Sequence, residues 1–144
     1  MASYTSVQAK LVTILGTKAG AGQFFAEVHD FPNPEPTKFP CVMPIAKDGN
    51  EEIFDTAENE SEYRFIVRGF IIDENDKATY DKLLLAIDTV LSLLRKDDYM
   101  TLEGTVHKFL PQGKVALFRT KQSKYNVVGF DIECVAKALN PITL

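Results

Sequence analysis

From Tyr63 to Ile72 the chain alternates, with Tyr63, Phe65, Val67 and Ile71 on one side and Arg64, Ile66, Arg68, Phe70 and Ile72 on the other. A period of two is that of a strand, and apolar residues on both sides describe one buried on one face and half-covered on the other. A charged turn, DENDKATYD, follows, and the run KLLLAIDTVLSLL then changes to a helical period. Tyr80, Leu83, Leu84, Ile87, Val90, Leu91 and Leu94 form the i, i+3, i+4, i+7 stripe that packs onto a sheet. Asp73, Glu74, Asn75 and Asp76 stand at the start of this helix and Arg95 and Lys96 at its end, both favourable to the helix dipole. Leu85 and Leu93 lie off the middle of the stripe. That surplus of apolar surface points to packing against copies of the chain or against a partner.

Before this unit, Val7, Leu11, Ile14 and Leu15 share one helical face, with Ser3 or Thr5 as N-cap and Gly16 near the end. TKAGAGQ breaks the helix. It is not a phosphate cradle, because no GK[ST] follows, no strand precedes it and its spacing is not GxGxxG. Gln23 to Phe31 reads as a strand with Phe24, Ala26 and Val28 on one side and Phe25, Glu27 and His29 on the other. FPNPEPTKFP, with four prolines in ten residues, excludes helix and central strand and predicts an irregular arm over 31–40. Cys41 to Ile45 resumes a strand in which Pro44 requires an edge or a bulge. A polar loop is expected over 47–62.

After the helix, TLEGTVHKFLPQG predicts a short strand closed by a Pro-Gln-Gly turn, and KVALFRTKQSKYN a hairpin arm with an irregular loop over 119–126. Val128, Phe130, Ile132, Cys134 and Ala136 alternate with Gly129, Asp131, Glu133 and Lys137 as a last strand, and 137–144 trails off as a tail. The order predicts an α+β fold, a single domain with a mainly antiparallel sheet packed by two helices, since the alternating strand and helix pattern of parallel sheets is missing.

A length of 144 residues suits one compact domain, and 45% hydrophobic and 25% charged residues are globular values. No apolar run approaches the roughly 18 residues of a membrane span, and MASYTSVQAK lacks a basic region followed by an apolar core. The expectation is synthesis and retention in a cytoplasm unless the protein leaves in a particle, with no membrane partner. Cys41 and Cys134 sit among apolar neighbours and read as buried thiols, with a cross-strand disulfide as the alternative; neither they nor His29 and His107 show metal-ligand spacing. The net charge of −4 disfavours sequence-independent grip on a phosphate backbone. Between Asp48 and Glu62 the carboxylates Asp48, Glu51, Glu52, Asp55, Glu58, Glu60 and Glu62 meet no lysine or arginine in the sequence. They read as a solvated loop or as a surface that repels nucleic acid.

No catalytic, cofactor or metal residues emerge. His29 and His107 fall on polar sides of predicted strands, where solvated histidines are ordinary, and the acidic segment offers one shared exposed environment rather than the contrasting ones an acid and a base need. Phe118, Arg119, Lys121, Lys124 and Tyr125 interleave base and ring as single-strand binders do, but a hairpin tip that docks on an acidic partner explains them too. Binding or assembly remains.

The whole order resembles the tail terminator (tail completion) proteins of long-tailed bacteriophages. The resemblance runs through an N-terminal helix, "FPNPEPTKFPCVMPI", a polar loop, the strand "EYRFIVRGFII", the helix "ATYDKLLLAIDTVLSLL", "MTLEGTVHKFLPQG" and the closing "VVGFDIECVAK". It implies a homo-oligomer, a hexameric ring on the head-proximal end of the virion's tail tube, monomeric before assembly if its loops order only on the tube. That ring stops tube polymerisation and meets the head connector or neck protein, while DNA passes without specific binding. Contacts with tube or neighbour are then expected at Phe31, Phe39, Arg119, Lys121, Lys124 and Tyr125, and an acidic lumen or ring face at Asp48, Glu51, Glu52, Asp55 and Glu58. The alternatives are a head-completion or connector-adaptor protein, and, in another class, a small nucleic-acid-binding module.

Overall fold

Ser3 starts the first helix. Its hydroxyl accepts the Ser6 amide at 3.1 Å while the Ser6 hydroxyl oxygen accepts the Ser3 amide at 2.8 Å, a reciprocal cap that satisfies donors every helix start leaves open. α1 (Tyr4–Gly16) then buries Val7, Leu11, Ile14 and Leu15, the face its spacing predicts. The computed structural model describes residues 2–33, 36–47, 50–53, 58–96, 99, 101, 102, 104, 106, 108–122 and 125–141. Among them are six strands, β1 (Glu27–Val28), β2 (Cys41–Ala46), β3 (Asn50–Ile53), β4 (Glu58–Ile72), β5 (Lys108–Gln122) and β6 (Tyr125–Pro141), and a second helix, α2 (Lys77–Leu94). The fold is α+β, one mostly antiparallel sheet in the order β1-β2-β4-β6-β5, with β3 also paired to β4 and only β1 parallel to its neighbour.

The two faces of β4 are as its alternation predicts. Tyr63, Phe65, Val67 and Ile71 point into the main core, with Phe25, Phe109, Phe130, Ile132 and the buried faces of both helices. On the other face a smaller cluster joins Cys41, Met43, Phe70 and Val127, flanked by Phe39, Ile45, Phe118 and Tyr125. Beside it the polar residues pair across strands. Arg68 reaches Asp131 through two bonds of 2.7 and 2.9 Å, and its guanidinium stands over the Phe118 ring at 5.4 Å. Lys47 meets Glu133 at 2.9 Å. The forked Arg68–Asp131 pair is geometrically specific, so it helps fix the register of β4 on β6.

At the centre of that ladder two glycines each accept an aromatic ring. Gly69 is the partner of Phe130, and Gly129 lies between Phe70 on β4 and Phe118 on β5. A Cβ on Gly69 would come within 2.3 Å of the Phe130 ring, and one on Gly129 within 2.6 Å of Phe118 and 2.9 Å of the Gly69 carbonyl oxygen. Glycine is required there by packing, so that a ring on each face can lie flat on the sheet.

Several segments differ from their expectation. Gln23 to Phe31 is strand only at Glu27–Val28, because Phe25 turns into the core and bonds back to Lys18 and Gly20. The expected 47–62 loop contains β3, which pairs Asn50–Ile53 with Asn59–Glu62. The Pro-Gln-Gly segment is no turn; β5 continues through it, with a register shift between Pro111 and Val115 that accommodates extra residues as bulges do. Residues 119–122 and 125–126 are strand rather than irregular loop, and the expected tail is strand as far as Pro141, paired to the start of β4.

α2 is turned relative to its expected stripe. Asp76 caps it, accepting the Thr79 amide and hydroxyl at 2.9 Å each, while the Thr79 hydroxyl oxygen accepts the Glu74 amide at 3.1 Å. These bonds hold Thr79 inward, so Thr79, Leu83, Ala86, Ile87, Val90, Leu93 and Leu94 are buried and Tyr80 and Leu84 face out. Leu93 is therefore core, while Leu85 is exposed as surplus apolar surface.

Gly69→Ala is expected to lower the unfolding free energy by about 1–3 kcal/mol, the range for overpacking a filled core, with part of the loss recovered by Phe130→Leu in the same chain. Denaturant titration checks this; a Gly69→Ala protein as stable as the parent contradicts the packing requirement.

Candidate functional site

The sheet leaves two unlike flanks. On the β5 side, α2 stops short of the outer strand, and Leu117, whose register partner is Phe130, extends past the helical cover with 51% of its surface exposed. Tyr80, 55% exposed, and Leu84 one turn along complete an apolar surface. A hollow of about 360 Å³ lies among Asp76, Thr79, Tyr80, Leu83, Leu117, Phe118, Arg119 and Val128. Arg119 stands at this site with its side chain 70% exposed and 3.6 Å from Asp73.

On the opposite flank an open groove of about 680 Å³ runs between α1, the start of the proline arm and β2. Tyr4, Ala9, Val12, Phe31, Pro32, Pro44 and Ile45 line it, with Thr5, Gln8 and Asp30 as polar members beside the Tyr4 hydroxyl. Gln8 ties the three elements together, since its amide nitrogen donates to the Pro44 carbonyl at 2.9 Å and the Asp30 carbonyl at 3.2 Å. Its Oε1 is buried and accepts no hydrogen bond among the described residues. Sequence reasoning missed Gln8, Tyr80 and Leu117 as surface residues. For Tyr80 the available signal was the surplus of apolar positions on α2, more than one buried stripe can hold.

The expected contact residues fall in different places. Phe31, half exposed, lines the α1 groove and lies 6.1 Å from the His29 ring. Phe39 does not join it; it packs edge-on to Tyr125 at 5.3 Å over the smaller apolar cluster, so both have a structural task. Arg119 and Lys121 are exposed along β5, and Lys124 lies outside the described residues. So do Asp48 and Asp55, and the side chains of Glu51, Glu52 and Glu58. The register sets Glu52 opposite Glu60 and Glu58 opposite Pro141. Glu62 is not isolated from cations, because Arg64 bonds it at 3.1 Å.

His29 departs from its expected solvated position. It is 8% exposed, because β1 ends at Val28 and the His29 amide bonds to the Val42 carbonyl. Asn33 lies 3.5 Å from its Nδ1 and Glu27 3.8 Å from its Nε2. His107 lies outside the described residues. Among the described residues no three His, Cys, Asp or Glu side chains are grouped to hold a metal, and no helix is long and apolar enough to cross a membrane. Cys41 and Cys134 are free and buried. Burial pushes both thiols up to about 12, with the Glu27 charge adding to the effect at Cys41 and the Glu133 charge at Cys134. Comparison with protein-family models and with curated proteins found no match.

A thiol raised from 9.0 to about 12 keeps its proton in the fold while the unfolded chain ionises. Stability from this source is therefore full below pH 9.0 and falls between there and about 12. Neither cysteine is expected to react with a thiol reagent at pH 8 in the native chain, and both should react in denaturant; stoichiometric labelling without denaturant contradicts their burial.

Proposed function

We propose that this chain is a tail terminator subunit of a long-tailed bacteriophage, a structural protein and not an enzyme. It forms a ring on the end of the tail tube, stops tube polymerisation and presents the finished end to the head connector. The observation that carries this reading is the exposed apolar surface of Tyr80, Leu84 and Leu117 beside β5, the long outer strand of a sheet whose other flank is built differently.

A sheet with two unlike flanks suits head-to-tail association, in which one surface of each copy meets another surface of the next. Such contacts close into rings when the rotation between copies divides a full turn. Large apolar side chains that adjoin on a surface, as Tyr80 of α2 and Leu117 of β5 do around one hollow, are costly to leave in water and suit a covered surface. The lysines and arginine along β5, Lys108, Arg119 and Lys121, discourage indiscriminate edge pairing, so that assembly is directed by shape. The order of elements along the whole chain adds the family resemblance. In this reading the acidic segment that includes Glu51, Glu52 and Glu58 faces the passing genome and lets DNA slide by repulsion. A head-completion or connector-adaptor subunit would share the ring but not the tube.

Mass by light scattering after size exclusion, with the chain alone and with purified tail tube protein, tests the reading when the same fractions are imaged by negative stain. Rings on the ends of tubes of limited length are expected. Rings that form but leave tube length unchanged favour the adaptor, and a monomer without effect on the tubes contradicts assembly. Salt-sensitive binding to DNA in that last case would favour a nucleic-acid module.

A further inference from the structure

Two backbone edges of the sheet, β5 and β3, carry opposite charge. β5 is outermost on its side, and an outer strand presents a row of backbone donors and acceptors that another strand can pair. It holds four cations, Lys108, Lys114, Arg119 and Lys121, and no carboxylate. Arg119 is taken up by Asp73 at 3.6 Å, whereas Lys108 and Lys121 are exposed and make no ion pair among the described residues. On the other side β2 is covered. Its Val42 carbonyl accepts the His29 amide beside β1, its Pro44 carbonyl accepts the Gln8 side-chain amide, and Pro44 has no N–H to offer. β3 differs, since it pairs with β4 along one edge and has no strand along the other among the described residues. It lies within 48–62, where seven carboxylates meet no lysine or arginine in the sequence.

We infer that β5 of one copy of this chain pairs edge to edge with β3 of the next. Two β5 edges set together would oppose cation to cation, and two β3 edges acid to acid, so charge selects the unlike pair and disfavours the two-fold ones. The strand directions agree. β5 runs parallel to β4 and β3 runs against it, so copies placed side by side in one orientation bring β5 and β3 together antiparallel. Asn50 stands opposite Glu62, Glu62 opposite Lys137, and Lys137 opposite Lys108. β3 therefore begins at the level where β5 begins and runs away from it. The two can pair only if successive copies are shifted along the strand direction, which is the stagger a sheet needs to close on itself. A strand added there also adjoins Leu117, which its own chain leaves half exposed. This contact rests on the ring reading and specifies which edges make the ring; it uses the backbone edge of β3 and leaves the faces of the acidic segment open to the lumen.

Two full-length variants test it by assembly on tube protein without DNA. One carries Lys108→Glu, Lys114→Glu and Lys121→Glu, the other Glu51→Lys and Glu52→Lys. Each alone is expected to raise the concentration for half-assembly by about tenfold or more, as like charges juxtaposed across an interface do, with an unchanged circular dichroism spectrum. An equal mixture is expected to assemble as the parent does, because alternating copies again set a basic edge against an acidic one at every contact of an even-numbered ring. A chain carrying all five substitutions, whose edges have exchanged sign, is expected to assemble alone. Assembly of either partial variant by itself at the parent concentration overturns this contact and leaves the ring reading standing. Natively folded variants that recover neither in the mixture nor in the five-substitution chain overturn it too. If the unmodified chain makes no ring with tube protein, the ring reading fails first and this contact with it.

Discussion

The register of β4 on β6 is the constraint from which the rest of this structure follows. It is held where Phe130 lies on Gly69 and Phe118 on Gly129, and it is reinforced by the forked Arg68–Asp131 pair. Because side chains alternate across a strand, a slip of one residue would carry Arg64 and Arg68 into the main core and Phe65 and Val67 out of it. The two ring-on-glycine contacts oppose that slip from both faces at once. With the central pair fixed, one face must receive α1 and α2, and the other is closed by the proline arm through Phe39 and by the hairpin through Tyr125.

The same constraint creates the two flanks. β4 and β6 occupy the middle of the sheet, so β5 is left outermost on one side while the short β1 and β3 lie on the other. Two helices do not cover the whole width. Leu117 is the result on the β5 side, and on the β2 side the result is the groove that Gln8 spans with its amide. The functional reading lives on this link between packing and surface: what the core leaves uncovered differs from one flank to the other, and unlike surfaces are what head-to-tail assembly uses.

Strong periodicity made α1, β4 and most of β6 legible from sequence. At these positions one side chain in two, or one face in three or four residues, is decided by burial, and the α+β class followed from their order. What was not legible depended on partners far along the chain. The polar residues of β3 have little strand preference of their own and are strand because β4 extends beyond the core to pair with them. Pro111, Gln112 and Gly113 have turn chemistry, but β6 runs alongside and turns them into an irregularity within a strand. The orientation of α2 depended on a local detail, the bonds that hold Thr79 to Asp76 and Glu74, and that detail moved Tyr80 from the expected core to the surface. Of the expected contact residues, Phe31, Arg119 and Lys121 are exposed, whereas Phe39 and Tyr125 are half-buried against each other, a pairing across 86 positions that no local pattern announces. Gln8 gave no signal at all, since an isolated glutamine on a helix is ordinary until the fold buries its oxygen.

Backbone hydrogen exchange, measured on the free chain and on the fraction assembled with tail tube protein, addresses the pairing of unlike flanks most directly. Slower exchange on assembly is expected together in peptides spanning 50–53 and 108–122, which come from opposite edges of the same sheet. Rings in which only one of those segments slows, or neither, would contradict the account.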